Sequence, residues 1–378
     1  SNETWEWTRD VLGVEWQTND DGVVTPIAYG GHSTLRTLHP VVGHGSAMVL
    51  PLIQKLSEMG LEIECGRMLV NLVKDESGRV VGAEIHDGAK NNDPTTGEPV
   101  FVKANRGVVL ASGGFGRDVE WRMQHDPRLD ASVDCTNAAG ATAESLCTAI
   151  DCGALPVHLD WIQCGPWCSP DEEGYGVSPT WIDSVAPYAP SINPLTGERC
   201  VNELTDRKRY CDVIFEIGEP LIQISNEANN PGWSNESLEK SLAADVTWKF
   251  DSLDEIAERF GMPNDALAKQ MEDYNSYVAS GVDEQFGKTI PENAQPVEPP
   301  YLVTRLWPKV HHTMGGVKTD VDCRVMNAHL QPIPGLFAAG EITGGVHGAC
   351  RLGSMATADC LVNGRIAGQQ AAAMDPVA

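Results

Sequence analysis

The chain has 378 residues, enough for two or three ordinary domains, which excludes a peptide or a single small module. Acidic residues outnumber basic ones 53 to 27, a net charge of −26, which argues against a generic binder of nucleic acid or anionic membrane. Hydrophobic residues make up 42% and charged residues 21%, as in a soluble globular protein, and no run of about 18 apolar residues could span a bilayer.

The eleven cysteines are scattered along the chain and predict buried thiols rather than a disulfide framework. Cys164 and Cys168 lie four residues apart, but no second pair and no His ligands follow at matched spacing. We therefore predict no metal site.

The first part of the sequence predicts a helix that feeds a sheet. Apolar residues recur at helical spacing over residues 49–59. Three short strands are predicted next, at residues 61–64, 68–73 and 80–85, with a hairpin turn at 75–78 between the last two.

A continuous apolar run at residues 107–111 predicts a strand that is buried on both faces. Three glycines lie among residues 112–116, just past its carboxyl end. Glycines there let the backbone approach a ligand closely, at the edge where open α/β sheets bind nucleotides. A tight turn from strand to helix explains them equally well.

The stretch from about 160 to 310 differs in composition, with many Pro, Trp and Asn residues. Ser252 and Glu255 predict a capping box, and a periodic helix is predicted from about Asp265. Because apolar strand-like runs become sparse here, we predict a separate, smaller α+β domain.

The last part is rich in glycine and ends in an Ala-rich stretch that predicts a helix from about Met355 to Ala373. The two parts that flank the middle stretch predict one interrupted domain. The predicted boundaries are 1–159 for its first part, 160–312 for the inserted domain and 313–378 for its last part.

Together these motifs resemble the flavoproteins of the fumarate reductase and succinate dehydrogenase superfamily, and the soluble fumarate and urocanate reductases in particular. The most specific blocks are His-His-Thr-Met-Gly-Gly at 311–316 and Gly-Gly-Val-His-Gly-Ala-Cys-Arg-Leu-Gly at 344–353. Further matches lie at 36–40, 78–82, 109–116, 199–203 and 274–287. The resemblance implies an α/β fold, a Rossmann-like FAD-binding domain interrupted by a smaller α+β capping domain.

The resemblance covers only the later three quarters of that fold. Relatives open with a strand and a Gly-x-Gly-x-x-Gly turn, whose backbone N–H groups and helix dipole meet the pyrophosphate of the dinucleotide. That motif is absent from this sequence. We therefore expect an incomplete, N-terminally truncated FAD-binding domain that binds FAD weakly or not at all.

For the rest of the cofactor site the resemblance implies six residues: Gly113, Gly114, Glu144, Glu341, Ala356 and Thr357. The two glycines would border the cofactor, and Glu341 would bond ribityl or ribose hydroxyls, although a surface carboxylate after a turn is the alternative. Ala356 and Thr357 would offer backbone groups to the flavin. Glu144 stands where relatives carry Asp between two glycines.

The resemblance also implies a reaction. Hydride passes from N5 of the reduced flavin to the β-carbon of a C=C bond conjugated to a carboxylate, and the α-carbon is protonated. Arg351 resembles the arginine that binds the carboxylate through its planar fork, and His312 resembles the histidine that shares it. Arg207 matches the proton-donating arginine, which in the family is supplied by a neighbouring carboxylate because arginine does not deprotonate alone. The alternatives are an ordinary surface arginine for Arg207 and a packed or solvent-facing side chain for His312.

Two departures bear on the substrate. Gly165 stands where fumarate reductases have a His, and residues 181–185 lack the Glu and Arg that hold a second carboxylate. A dicarboxylate would leave a buried charge unpaired, at high cost. The region is instead aromatic, with Trp161, Trp167, Trp181 and Tyr188. We therefore predict an aryl or bulky monocarboxylate and a divergent pocket that includes Gly165, Trp181 and Ser354, with domain core as the alternative for each Trp.

Three alternatives stay open: a fumarate reductase proper, a dehydrogenase that works in the reverse direction, and a non-catalytic interaction module. The expected electron donor is a cytochrome, a quinol-linked protein or a reduced flavin- or viologen-like compound. No nucleic-acid partner is expected, and the compartment, cytoplasmic or exported, stays undetermined.

Overall fold

The computed structural model describes residues 2–26, 31–42, 44–90, 93 and 95–377. The helices in this part are α1 (Asn2–Asp10), α2 (Ser46–Glu58), α3 (Val119–His125), α4 (Glu144–Asp151), α5 (Pro179–Val185), α6 (Arg207–Ile217), α7 (Asn235–Ala243), α8 (Leu253–Phe260), α9 (Asn264–Ser280) and α10 (Met355–Ala373). The strands are β1 (Arg67–Lys74), β2 (Val80–Asp87), β3 (Glu98–Lys103), β4 (Val108–Leu110), β5 (Pro156–Val157), β6 (Ile162–Gly165), β7 (Ser191–Asn193), β8 (Glu198–Arg199), β9 (Leu221–Asn226), β10 (Thr247–Phe250), β11 (Tyr301–Leu306), β12 (Lys309–Thr313), β13 (Gly316–Lys318), β14 (Arg324–Met326), β15 (Pro332–Ala338) and β16 (Thr343–Gly344). None of these helices is long and apolar enough to cross a membrane.

The chain forms two compact units. The first unit comprises residues 1–125, 139–161 and 313–378, and the second comprises residues 126–138 and 162–312. The roles of cofactor domain and capping domain stay predictions for these units.

The first unit holds three small sheets. The antiparallel sheet β1–β2–β3 contains the predicted hairpin, whose turn is closed by the Asp75 carboxylate accepting the backbone N–H groups of Ser77 at 2.8 Å and Arg79 at 3.1 Å. The strand predicted at 61–64 is wrong, because this segment forms no strand in the described part of the chain.

Strand β4 is parallel to β15 and lies in the order β14–β15–β4. Its prediction as a strand is confirmed, but its predicted burial on both faces is wrong, since Val109 is 38% exposed. Among the described strands β4 pairs with β15 alone, so only one edge is covered. The glycine-containing segment 112–116 follows the carboxyl end of β4.

The second unit is built on the five-stranded sheet β10–β11–β9–β7–β8. Helix α9 packs on it through Leu267, Met271 and Tyr274, each at most 2% exposed, at the spacing predicted from sequence. Helix α8 begins at the predicted cap, where the Ser252 hydroxyl accepts the Glu255 N–H at 3.3 Å.

Four fully buried charged side chains brace the second unit, and we call them the ionic quartet: Arg199, Glu203, Asp283 and Lys288. Arg199 donates to Glu203 at 2.7 Å and to Asp283 at 3.0 Å, and Lys288 Nζ lies 3.2 Å from Glu203. Burial works to raise the pKa of Glu203, but Lys288 and Arg199 outweigh it and hold that pKa low. The matched segments 199–203 and 274–287 therefore supply a charge cluster in the core.

Candidate functional site

The cofactor residues predicted after β4 lie against the 3₁₀ turn Gly340–Ile342 in the first unit. The Glu341 carboxylate accepts the Thr313 backbone N–H at 2.9 Å and the Thr313 hydroxyl at 3.3 Å. A Cβ at Gly114 would overlap both that hydroxyl and that carboxylate. Glu341 is thus held in one orientation beside a backbone position that only glycine fits.

At Gly113 the backbone conformation, rather than a close contact, favours glycine. Its φ of +84° is the left-handed region, and no atom of the first unit stands within 4 Å of the place where a Cβ would lie. The backbone at the end of β4 is therefore open to a ligand, which fits a nucleotide cofactor at this edge.

Replacing Gly114 by alanine is expected to lower the free energy of unfolding by about 1–3 kcal/mol, because the new methyl group must displace Thr313 and Glu341. The matched control is Gly364→Ala on α10, where the Cβ meets nothing within 4 Å and the better helix propensity should add about 0.5–1 kcal/mol. Thermal unfolding of both variants checks the sign of each change. Equal stability of the two would contradict the close packing at Gly114.

Glu144 is the first residue of α4. The turn after β4 contacts the start of this helix, since Arg117 N–H donates to Ala141 at 2.9 Å and Ala143 N–H donates to the Asp118 carboxylate at 3.3 Å. The structure thus brings the start of α4, with Glu144, to the turn that follows the glycine-containing segment.

Ala356 and Thr357 lie in the first turn of α10, and Ser354 precedes that helix with φ +65°. Ser354 and Thr357 line a cavity of about 560 Å³ in the first unit, a volume ordinary for a cofactor pocket. Ser354 offers no side-chain cap to α10. At the start of α10, Met355 N–H donates to the Leu352 carbonyl and Thr357 N–H donates to the Ser354 carbonyl, each at 3.2 Å.

The three predicted catalytic residues fall in both units. Arg351 lies in the first unit, 5% exposed, and Arg207 and His312 lie in the second. His312 is on β12 and is 3% exposed. Two of the three side chains are therefore buried, which is unusual for Arg and His without a function or a partner.

Arg207 begins α6, whose preceding residue Asp206 caps the helix by accepting the Arg209 N–H at 3.1 Å. The guanidinium carbon of Arg207 lies 5.1 Å from the ring centroid of Trp167, a cation–π arrangement. Trp167 is 5% exposed, and its indole N–H has no hydrogen-bond acceptor among the described residues. The arginine is therefore held on a buried aromatic surface.

Sequence reasoning missed the role of Asp183 on α5. Burial raises the pKa of this carboxyl, and the positive charge of Arg207 opposes the shift. An acidic residue in a helix whose other members from Trp181 to Val185 are buried is a signal that the sequence does contain. The second unit therefore places a carboxyl with a raised pKa within electrostatic reach of the predicted proton donor.

The two predicted substrate-pocket residues of the second unit, Gly165 and Trp181, differ in the residues that surround them. Gly165 ends β6, and a Cβ there would lie 3.5 Å from Cys168 Sγ and 3.6 Å from His311 Cβ, so ordinary side chains would contact these two residues. Trp181 is 1% exposed and packs in the core with Trp167. The structure thus places the Trp181 ring in the domain core, the alternative given above.

The chain matches the family model described as "FAD binding domain" over residues 2–356. It is 40% identical over 344 residues to an acrylate reductase flavoprotein subunit of Shewanella woodyi, covering 89% of this chain and 68% of that protein. It is 32% identical over 383 residues to a urocanate reductase of Eggerthella lenta, covering 98% of this chain and 59% of that protein.

Among solved structures, the open conformation of a flavocytochrome c3 fumarate reductase superposes with a TM-score of 0.73 at 31% identity. The match covers 98% of this chain and 62% of that one. The chain thus spans about three fifths to two thirds of the length of these proteins.

Proposed function

Because the chain belongs to the FAD-binding domain family, with acrylate, urocanate and fumarate reductases as relatives, we propose that it reduces the C=C bond of an α,β-unsaturated carboxylic acid. The family confirms the resemblance inferred from the motifs and makes the chain part of an FAD-dependent oxidoreductase. The observation that carries the proposed reaction is Arg207, which lies over the buried Trp167 ring of the second unit and whose charge acts on the Asp183 carboxyl, a group with a pKa raised by burial.

FAD, when bound, would supply the hydride. The residues of this chain would hold it through Gly113, Gly114, Glu341 and the first turn of α10, whose open backbone and helix start fit an electron-rich cofactor. We expect FAD binding by this chain to be weak, because the sequence contains no Gly-x-Gly-x-x-Gly to meet the pyrophosphate.

Arg351 and His312 would bind the substrate carboxylate. Reduction at the β-carbon builds negative charge on that carboxylate, and buried cationic donors stabilise such charge better than exposed ones. Both side chains are at most 5% exposed, which supports this role.

Arg207 would deliver the proton to the α-carbon. A guanidinium gives up a proton only when another group replaces it at once, because arginine is effectively always protonated in proteins. A protonated Asp183 can do this: its O–H bond breaks as an N–H bond of Arg207 re-forms, and solvent then reprotonates the carboxylate. The burial that raises the pKa of Asp183 favours the protonated form.

We propose an aryl or bulky monocarboxylate as the substrate. Gly165 supplies no cation for a second carboxylate, and Asp183 would repel one when ionised. Steady-state assays with reduced methyl viologen, comparing fumarate, acrylate, urocanate and cinnamate, test this choice. Fumarate as the best acceptor would contradict the substrate, and no turnover with any acid would favour an interaction module.

Asp183→Asn is expected to lower kcat at least tenfold while making the protein more stable than the parent at pH 7, because asparagine carries no cost of ionisation in a buried position. Because burial raises the folded pKa of Asp183, the parent loses free energy of unfolding as pH rises above the unfolded pKa of about 3.9. The asparagine side chain does not ionise, so the variant does not lose this free energy. The stability of variant and parent should therefore converge below about pH 3.9.

The matched control for Asp183 is Asp212→Asn, a carboxylate on α6 that pairs with Lys208 at the surface. This variant should keep full turnover. If Asp183→Asn retained kcat, or lost stability and activity together at neutral pH, Asp183 would be structural rather than part of proton delivery.

The direction of the reaction and the electron donor belong to the same proposal. A cytochrome, a quinol-linked protein or a reduced flavin- or viologen-like compound would deliver electrons, as the flavocytochrome relative suggests by name. A dehydrogenase working in the reverse direction would instead oxidise the saturated acid and pass the electrons to an acceptor. Reduction of oxidised methyl viologen by the saturated acid would detect this activity.

A further inference from the structure

The glycine-rich block at 344–353 contains a histidine, His347, to which the proposed reaction gives no role. Residues 345–354, which we call the Arg351 loop, connect β16 to α10. The backbone of this loop has wide conformational freedom, since it contains three glycines, two of which, Gly345 and Gly348, adopt φ values of +95° and +70°. Arg351 is nevertheless only 5% exposed. A contact that ties the loop to the rest of the first unit is therefore needed to keep the guanidinium in one place.

His347 turns inward and meets a carboxylate of the helix that follows the loop. Its side chain is 12% exposed, whereas the preceding residue, Val346, is 52% exposed. Ring atom Nε2 of His347 lies 3.5 Å from Oδ2 of Asp359, whose side chain is 5% exposed. Among the residues that the structure describes, His347 is the ion-pair partner of Asp359. Because a buried carboxylate is costly without a cation or a donor, this contact favours the inward position of the ring.

Asp359 is itself held on a packed element. It begins the second turn of α10, and its other carboxylate oxygen accepts the side-chain amide of Asn363 one turn later. The backbone carbonyl of Asn363 accepts the Cys323 thiol at 3.5 Å, and Cys323 packs in a core cluster with Ala367 of the same helix. The carboxylate is thus fixed to a helix in the core, and the contact with His347 ties the middle of the loop to that helix.

We propose that His347 and Asp359 form a positioning pair, which holds the Arg351 loop in the arrangement that binds the substrate carboxylate. His347 and Arg351 stand on opposite sides of the turn at residues 348–349, so a ring fixed on one side of the turn determines where the other side places the guanidinium. Neither member of the pair touches the substrate in this role. The inference rests on the proposed function for the role of Arg351, whereas the pair and the burial of Arg351 do not depend on it.

Loss of the pair is expected to weaken substrate binding without slowing the chemical step. When only a fraction of the molecules has the binding arrangement, the apparent affinity falls by that fraction, while the complex that does form is unchanged. Arg207 and Asp183, which would deliver the proton, lie in the second unit and keep their surroundings. A variant without the pair should therefore raise KM for the best unsaturated acid about tenfold and leave kcat within about twofold of the parent.

Two amide substitutions of His347 give the sharpest comparison, in assays with reduced methyl viologen and excess FAD. The amide of glutamine takes the place of ring atom Nε2, whereas the shorter asparagine reaches only the place of Nδ1. His347→Gln should therefore keep the contact with Asp359 and the parent KM, and His347→Asn should lose both. The matched control is His329→Asn, since His329 is an exposed histidine of the same unit, and it should keep the parent KM.

A double-mutant cycle shows whether the two residues act as one unit. Asp359→Ala should raise KM about as much as His347→Asn, and the double variant should raise it no further, because the second substitution removes no additional contact. Additive effects would overturn the pair. Circular dichroism and thermal unfolding show which variants are folded, and the comparison of His347→Asn with His347→Gln decides the question if Asp359→Ala fails to fold.

Chemical labelling of Arg351 tests the positioning without any turnover. Phenylglyoxal reacts with accessible guanidinium groups, and mass spectrometry of peptides gives the rate at Arg351. Since Arg351 is 5% exposed, labelling should be slow in the parent, in His347→Gln and in His329→Asn. In His347→Asn it should be at least about fivefold faster, because the loop opens more often.

The outcomes separate this inference from the proposed reaction. Parent-like labelling in folded His347→Asn, or equal acceleration in His347→Gln, would overturn the positioning pair. Faster labelling with an unchanged KM would overturn its role in substrate binding while the reaction stands. No turnover of any acid by the parent would instead overturn the proposed function, and the labelling rates would then decide whether the pair holds Arg351.

Discussion

Arg207→Ala is expected to lower kcat with the best unsaturated acid by about 10²–10⁴, the range that a general acid contributes. The guanidinium lies over the buried Trp167 ring and its charge acts on Asp183, so alanine removes both the donor and the charge that opposes the raised pKa of that carboxyl. KM should change little, because the proposed carboxylate ligands are Arg351 and His312. Steady-state oxidation of reduced viologen measures both constants.

Two control variants test the assignment of Arg207 as the proton donor. Arg209→Ala removes an exposed arginine two residues later on the same helix and should leave kcat unchanged. Arg207→Lys keeps the charge but loses the planar fork, and it should recover little of the activity if proton delivery needs the guanidinium geometry. A large rise in KM with unchanged kcat in Arg207→Ala would instead assign this residue to substrate binding.

Glu203→Gln is expected to lower the free energy of unfolding by about 3–5 kcal/mol, the usual cost of breaking a buried ion pair from one side. The side chain is fully buried, and its loss of charge leaves Arg199 and Lys288 with Asp283 as the one remaining anion of the ionic quartet. Urea unfolding followed by near-ultraviolet circular dichroism measures the change.

The pH dependence adds a second check on Glu203. Its folded pKa is lowered, so its contribution is present above the unfolded pKa of about 4.3 and is lost as pH falls through the lower folded value. The deficit of Glu203→Gln should therefore shrink in acid. The matched control is Glu227→Gln, an exposed carboxylate 2.7 Å from Lys249, which should cost at most about 1 kcal/mol.

The parts of the fold that depend on local pattern could be predicted from the sequence. The hairpin turn at Asp75, the cap at Ser252 and the helices α9 and α10 follow from turn chemistry and periodicity, which act between residues close in the chain. The strand expected at 61–64 and the burial expected for Val109 fail because pairing and burial depend on distant segments.

The same distinction holds for the residues of the candidate site: those that belong to sequence motifs could be predicted, and those marked only by burial could not. Motif resemblance supplied Arg207, Gly114 and Glu341, and the structure adds the physical reasons, a cation–π contact and a clash that excludes a Cβ. Motif resemblance could not supply Asp183, because a raised pKa arises from burial among residues far apart in the chain.

The ionic quartet also governs how the second unit opens. Arg199 and Asp283 are 84 residues apart, and Lys288 follows α9 as well, so the chain on both sides of the unit must be in place before the charges are neutralised. A local opening that released residues 283–288 would leave Arg199 and Glu203 buried without Asp283 and Lys288. Separate unfolding of residues 199–203 or of residues 283–288 is therefore unfavourable, and the two segments are expected to open together, which ties the chain before α6 to the chain after α9.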